Sequence, residues 1–108
     1  MKNRNYFFDP NGRIGILLSA DYGSGWSTKA KDIRLAYDKE LVEGFLNGMT
    51  TSEIIDLANR KYNVGMSYGS YFKLQVKFLP THRTFRINHH SGKEFIEYFN
   101  PEQWIIIE

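Results

Sequence analysis

Residues 21–28 read Asp21-Tyr22-Gly23-Ser24-Gly25-Trp26-Ser27-Thr28. This stretch gathers the groups that hold an anion. Glycine accepts positive φ and lets another group come close, so Gly23 and Gly25 around Ser24 can turn successive backbone N–H groups toward one point. The hydroxyls of Ser24, Ser27 and Thr28 donate or accept. Tyr22 and Trp26 offer flat faces on which a base or sugar stacks. Lys29 and Lys31 follow with positive charge. Farther along, Arg86 is a candidate guanidinium fork for phosphate. The candidate binding residues are therefore Tyr22, Gly23, Ser24, Gly25, Trp26, Ser27, Thr28 and Arg86, and their chemistry is capture of a small anionic, nucleotide-like ligand. The spacing is neither that of a Walker loop nor that of the dinucleotide fingerprint. The same residues also suit a tight connection in which Trp26 plugs the core and the serines cap nearby backbone.

Catalytic and metal chemistry find less support. Ser24 lies in Gly23-Ser24-Gly25, without the G-x-S-x-G spacing of a nucleophile elbow. No nucleophile, base and orienting group fall together, and Asp38 reads better as a helix cap than as an acid or base. The chain has three histidines and no cysteine. His89 and His90, adjacent on a strand, point to opposite faces and cannot easily share a metal, and His82 falls in a turn. The expectation is a protein that is not an enzyme, with no metal and no cofactor.

The elements that must position the loop follow from pattern. Tyr6-Phe7-Phe8 reads as a short strand, Asp9-Pro10-Asn11-Gly12 as a turn, and Arg13 to Ser19 as a second strand, giving a hairpin over residues 5–19. Gly15 inside that strand marks a bulge or close packing. Residues 30–37 are ambiguous. Asp38 caps a helix to about Asn47, with Leu41, Val42, Phe45 and Leu46 on one stripe. Thr50-x-x-Glu53 is a capping box opening a second helix to about Tyr62. Residues 71–79 alternate, with Phe72, Leu74, Val76 and Phe78 inward and Lys73, Gln75 and Lys77 outward. Residues 84–89 and 95–99 read as further strands, and Trp104 to Ile107 as a last one. The predicted fold is α+β in the order ββ-αα-ββββ. It has one antiparallel sheet of five to six strands and a helical hairpin packed on one face.

With 108 residues, the chain is expected to be one domain, 1–108, able to bury a core without disulfides. No apolar run approaches the roughly 20 residues of a membrane span. The amino terminus is too short in apolar residues for a signal peptide, so the expected place is the cytoplasm. The formal net charge is only +2, small for a duplex binder. Lys73, Lys77 and Arg86 make a modest basic face, which reads more simply as a solvated one. Aromatic residues make up 16%, more than a core of this size needs, so some should lie on the surface, where they favour contact with partners.

Four segments carry a resemblance: residues 22–28, Leu35-Ala36-Tyr37-Asp38-Lys39-Glu40-Leu41-Val42, Leu74-Gln75-Val76-Lys77-Phe78-Leu79-Pro80, and Phe85-Arg86-Ile87-Asn88. In this order the chain resembles a family of short, largely uncharacterised proteins of bacteriophages and prophages. That family is marked by a G-x-G-A-G-W-S-T-W-like loop, a capped L-A-x-D helix and an F-R-I-x-E-Y-D-G hairpin. The chain departs from it at Lys29, where a second Trp is usual, and at His89-His90-Ser91. The resemblance implies a phage accessory, anti-defence protein acting by binding in the host cytoplasm. Three forms of that activity stand side by side: sequestration of a nucleotide-like ligand at the Gly/Trp loop, docking on a host defence protein in the manner of an anti-CRISPR, and nucleic-acid binding. A concave pocket that includes Trp26, Ser27 and Thr28 would favour the first, and a flat aromatic patch with a buried Trp26 the second. The surplus of aromatics and the apolar tail also lead us to expect a homo-oligomer.

Overall fold

The run Ile14-Gly15-Ile16-Leu17-Leu18 has apolar residues on both sides of a strand, and both sides need cover. The computed structural model, which describes residues 6–21, 23, 25–66 and 73–99, supplies it with three layers. Strand β1 (Ile14–Ser19) is buried at every position and pairs antiparallel with β2 (Leu74–Leu79), in a register from Ile14 opposite Leu79 to Ser19 opposite Leu74. On one face Leu17 and Leu74 meet the helices, in a cluster with Trp26, Leu35, Leu41, Ile54 and Ile55. On the other face Ile14, Ile16, Leu18 and Leu79 meet Phe85, Ile87, Ile96 and Tyr98 of a second sheet. That sheet is the hairpin β3 (Phe85–His90) and β4 (Lys93–Tyr98).

The two longer helices begin where their caps place them. Asp38 accepts from the Leu41 amide at 3.0 Å and opens α3 (Lys39–Leu46). The Thr50–Glu53 box opens α4 (Thr51–Tyr62), with the Glu53 amide donating to Thr50 Oγ1 at 3.2 Å and the Thr50 amide to Glu53 Oε1 at 2.8 Å. Asn63 closes α4 in the left-handed region. The ambiguous residues 30–37 lie within two single turns of helix, α1 (Ser27–Ala30) and α2 (Arg34–Tyr37), and the link between them. Gly15 marks close packing, since a Cβ there would sit 3.0 Å from Val42 Cγ1 on α3.

The α+β class stands, but the single sheet of five to six strands in the order ββ-αα-ββββ does not. Among the described residues there are four helices and two separate two-stranded sheets. Two physical reasons account for the difference. Residues 6–8 contribute only an isolated bridge, Phe8 with Ile14, together with a bond from the Gly15 amide to the Phe7 carbonyl. The link 80–84, opened by a proline that cannot donate to a ladder, carries the chain off the first sheet. The following hairpin then buries its apolar face by stacking on β1 instead of pairing at an edge. The expected strand at Trp104–Ile107, along with Phe72, lies outside the described residues. No described helix is long and apolar enough to cross a membrane.

Candidate functional site

The turn between β3 and β4 decides what the Gly/Trp loop can do. Ser91 and Gly92 both have positive φ, 50° and 87°, as a two-residue type I′ turn demands. The tip presses on the loop backbone to backbone. The Gly23 amide donates to the Ser91 carbonyl at 2.8 Å, and a Cβ on Gly92 would lie 2.0 Å from the Gly23 carbonyl oxygen. Close approach is thus required here, but the approaching group belongs to the same chain.

Two residues past Gly92, Glu94 enters the loop. It is 2% exposed. Its Oε1 accepts from the Ser19 amide at 2.7 Å, and its Oε2 from the Trp26 amide at 2.9 Å, the Thr28 amide at 3.0 Å and the Thr28 hydroxyl at 2.7 Å. Gly25, at φ +85°, gives the backbone the bend that precedes these donors. No cation pairs with Glu94 among the described residues. Its charge is held by N–H dipoles and one hydroxyl, the arrangement that holds bound anions in backbone nests. The expected nest of Gly23, Ser24 and Gly25 amides is not what holds this anion: the Gly23 amide goes to the Ser91 carbonyl, Ser24 lies outside the described residues, and the donors to the internal carboxylate are the Ser19, Trp26 and Thr28 amides and the Thr28 hydroxyl.

The expected site residues separate accordingly. Trp26 is 0% exposed, its indole N–H donates to the Leu35 carbonyl at 2.9 Å, and it belongs to the core. The structure thus corrects the expectation of a Trp26 face open to a ligand: the ring is enclosed by apolar side chains. Gly23, Gly25 and Thr28 are engaged with the hairpin and Glu94. Tyr22 and Ser24 lie outside the described residues. Arg86 is bound to Glu97 at 2.7 Å across the hairpin. Strand alternation puts both on the face opposite Phe85 and Ile87, so the guanidinium does not join the loop. Lys73 and Lys77 flank or lie on the first sheet while Arg86 lies on the second, so the three basic residues share no single sheet. Ser27 remains distinct. Its hydroxyl is buried with no hydrogen-bond partner among the described residues, and it lines a hollow of about 310 Å³ with Thr28, Lys31, Asp32, Ile33 and Ile87.

Glu94 is the residue that sequence reasoning missed. A period-two signal was present, because Glu94, Ile96 and Tyr98 alternate with Phe95, Glu97 and Phe99, and the first set faces inward. Reading Phe95 as the start of the strand hid it. Phe95 instead is 40% exposed.

A second polar cluster clips α3 to α4. Asp38 accepts from the Tyr62 hydroxyl and, at 2.9 Å, from the Lys61 ammonium, which also reaches Glu40 at 2.6 Å. Burial pushes the Asp38 carboxyl up, but Tyr62, Lys61 and the Leu41 amide together outweigh it and hold the carboxyl below its usual range. Burial and the bond to Asp38 push Tyr62 up to about 12. Burial works against the Lys61 charge, yet its bonds to Glu40 and Asp38 raise it to about 12. The Arg34 guanidinium covers the Tyr62 ring at 4.3 Å. Each member has its partners, and the cluster works as a cap and clip. Among the described residues no group of three His, Asp or Glu could hold a metal. Comparisons with protein-family models, curated proteins and solved structures find no match.

Proposed function

We propose that the chain is a non-catalytic accessory protein, of the kind phages carry against host defence, that acts by docking on a host protein through exposed aromatic side chains. One observation carries this reading: the Trp26 and Thr28 amides and the Thr28 hydroxyl of the Gly/Trp loop are taken internally by Glu94, and the Trp26 ring is buried. Large apolar side chains are exposed elsewhere, with Phe8 at 52% and Phe95 at 40%. Half-exposed aromatics of this kind make the anchors of protein interfaces.

The test is affinity capture from host extract with wild type and Phe95→Ser, followed by native mass spectrometry. The expected result is one defined host protein retained by wild type and lost by Phe95→Ser at an unchanged melting temperature. Equal capture by both proteins, or a nucleotide carried through purification by both, overturns the reading. The same spectra report whether the chain is a homo-oligomer.

A second reading keeps a small anionic, nucleotide-like ligand but moves it to the hollow beside Ser27. The unpartnered buried hydroxyl favours it, because such groups call for a partner, and exposed Lys31 on the rim adds charge. Titration calorimetry with nucleotides on wild type, Ser27→Ala and Lys31→Gln tests it. Heat from wild type that both variants lose supports this second reading, and no heat from wild type removes it.

A further inference from the structure

We propose that the cleft between the amino-terminal segment and the β2–β3 link receives a carboxylate carried beside an apolar side chain of a partner protein. This rests on the docking reading for the source of the carboxylate. The cleft has a volume of about 610 Å³, and Tyr6, Phe8, Ile14, Thr81, Arg83 and Phe85 are among its lining residues. That size falls in the range of about 300–1,000 Å³ typical of ligand sites.

Its walls are set before anything binds. The Tyr6 ring meets Tyr37 edge to face at 5.2 Å and Phe8 at 6.2 Å, so little ordering remains to oppose binding. The Arg83 guanidinium lies over the Tyr98 ring, 4.1 Å from its centroid. Stacking fixes the plane of the fork and leaves its N–H edges to an acceptor.

Charge selects the occupant. Arg13, Arg34 and Arg86 each hold a carboxylate, those of Asp9, Asp32 and Glu97. Arg83 holds none among the described residues. Asp9, near the cleft, is already neutralised by Arg13 at 2.8 Å. One uncompensated positive charge, with Thr81 also lining the cleft, matches a monoanion. A phosphate ester with close to two negative charges calls for a second cation or a backbone nest. Aromatic walls around one fork therefore fit an acidic residue, or a chain end, next to an aromatic or aliphatic side chain.

The test is amide NMR of the full chain titrated with N-acetyltryptophan, N-acetyltryptophan amide and adenosine monophosphate. N-acetyltryptophan should move the amides of Phe8, Gly12, Thr81 and Arg83 and saturate in the millimolar range. The uncharged amide should bind roughly tenfold more weakly, the loss expected for a hydrogen bond to a charged group. Arg83→Gln, an exposed change, should erase the difference between acid and amide while lowering the melting temperature by only a few degrees, the loss of one exposed cation–π contact. Equal affinity for acid and amide, tighter binding of the nucleotide, or no shift at the cleft overturns the proposal. Capture by the host partner is read on Phe95, outside the cleft, so failure of one proposal is distinguishable from failure of the other.

Discussion

Replacing Glu94 by alanine removes the acceptor for the Ser19, Trp26 and Thr28 amides and the Thr28 hydroxyl. A buried donor left without a partner costs about 1–3 kcal/mol. The Ser19 and Trp26 bonds are buried, whereas the Thr28 bonds are only partly so, and water can reach the latter. Two full penalties and one partial one give about 4 kcal/mol, a large share of the roughly 5–15 kcal/mol that stabilises a domain. At about 4–8 °C per kcal/mol the melting temperature falls by roughly 15–30 °C. Glutamine is milder. With its oxygen in the place of Oε2 it still accepts three bonds, and its amide group then meets the Ser19 N–H donor to donor. We expect it to cost about half as much, roughly 2 kcal/mol. Thermal unfolding followed by circular dichroism measures both variants. The alanine variant also leaves a carboxylate-shaped space lined by donors, so acetate should raise its melting temperature above equal chloride and leave wild type unmoved. If alanine melts within a few degrees of wild type, the internal-anion account is wrong. If glutamine is as damaging as alanine, the assignment of three bonds to one oxygen is wrong.

Three further outcomes are expected. Trp26→Ala should cost about 3–5 kcal/mol through its cavity, in urea unfolding, while calorimetric heats with nucleotides stay those of wild type. Gly48→Ala and Gly92→Ala both place a side chain at positive φ, but a Cβ on Gly48 would meet nothing within 4 Å whereas one on Gly92 would lie 2.0 Å from the Gly23 carbonyl oxygen. The first should cost about 1 kcal/mol and the second clearly more, with amide NMR shifts at Trp26 and Thr28 only in the second. Stability against urea should also follow pH at both ends. Asp38 lies below its ordinary 3.8 in the folded chain, so its contribution is complete above that value and fades as pH falls through the lower folded one. Lys61 and Tyr62 stand at about 12, up from 10.5 and 10.0. Their contributions are complete below about pH 10 and fade as pH rises toward 12. Tyr62→Phe should shrink the alkaline loss, and an unchanged alkaline limb would exclude Tyr62 as its source.

The sequence by itself determined the features whose cause lies within a few residues. Asp38 and Thr50 start helices because their side-chain oxygens meet amides three positions on. The Asp9–Gly12 turn and the β3–β4 hairpin follow from local backbone preferences. The loop's supply of donors was legible only in part: the Thr28 hydroxyl and the amides just past Gly25 do hold an anion, but the Gly23 amide goes to Ser91 and a further donor comes from Ser19 on β1. The occupant was not legible. Glu94 is 66 to 75 residues from the groups it binds, and no local rule ties a glutamate on one hairpin to donors on a distant loop. Sheet architecture was equally non-local. β1 is apolar on both sides, and one side could be covered by neighbours in one sheet or by a second sheet stacked upon it. Only packing of Phe85, Ile87, Ile96 and Tyr98 against Ile14, Ile16 and Leu18 chose the second. That choice carried Glu94 into the loop and Arg86 away from it. Tertiary structure thereby turned a loop with the composition of a ligand site into the point where two parts of the chain are joined.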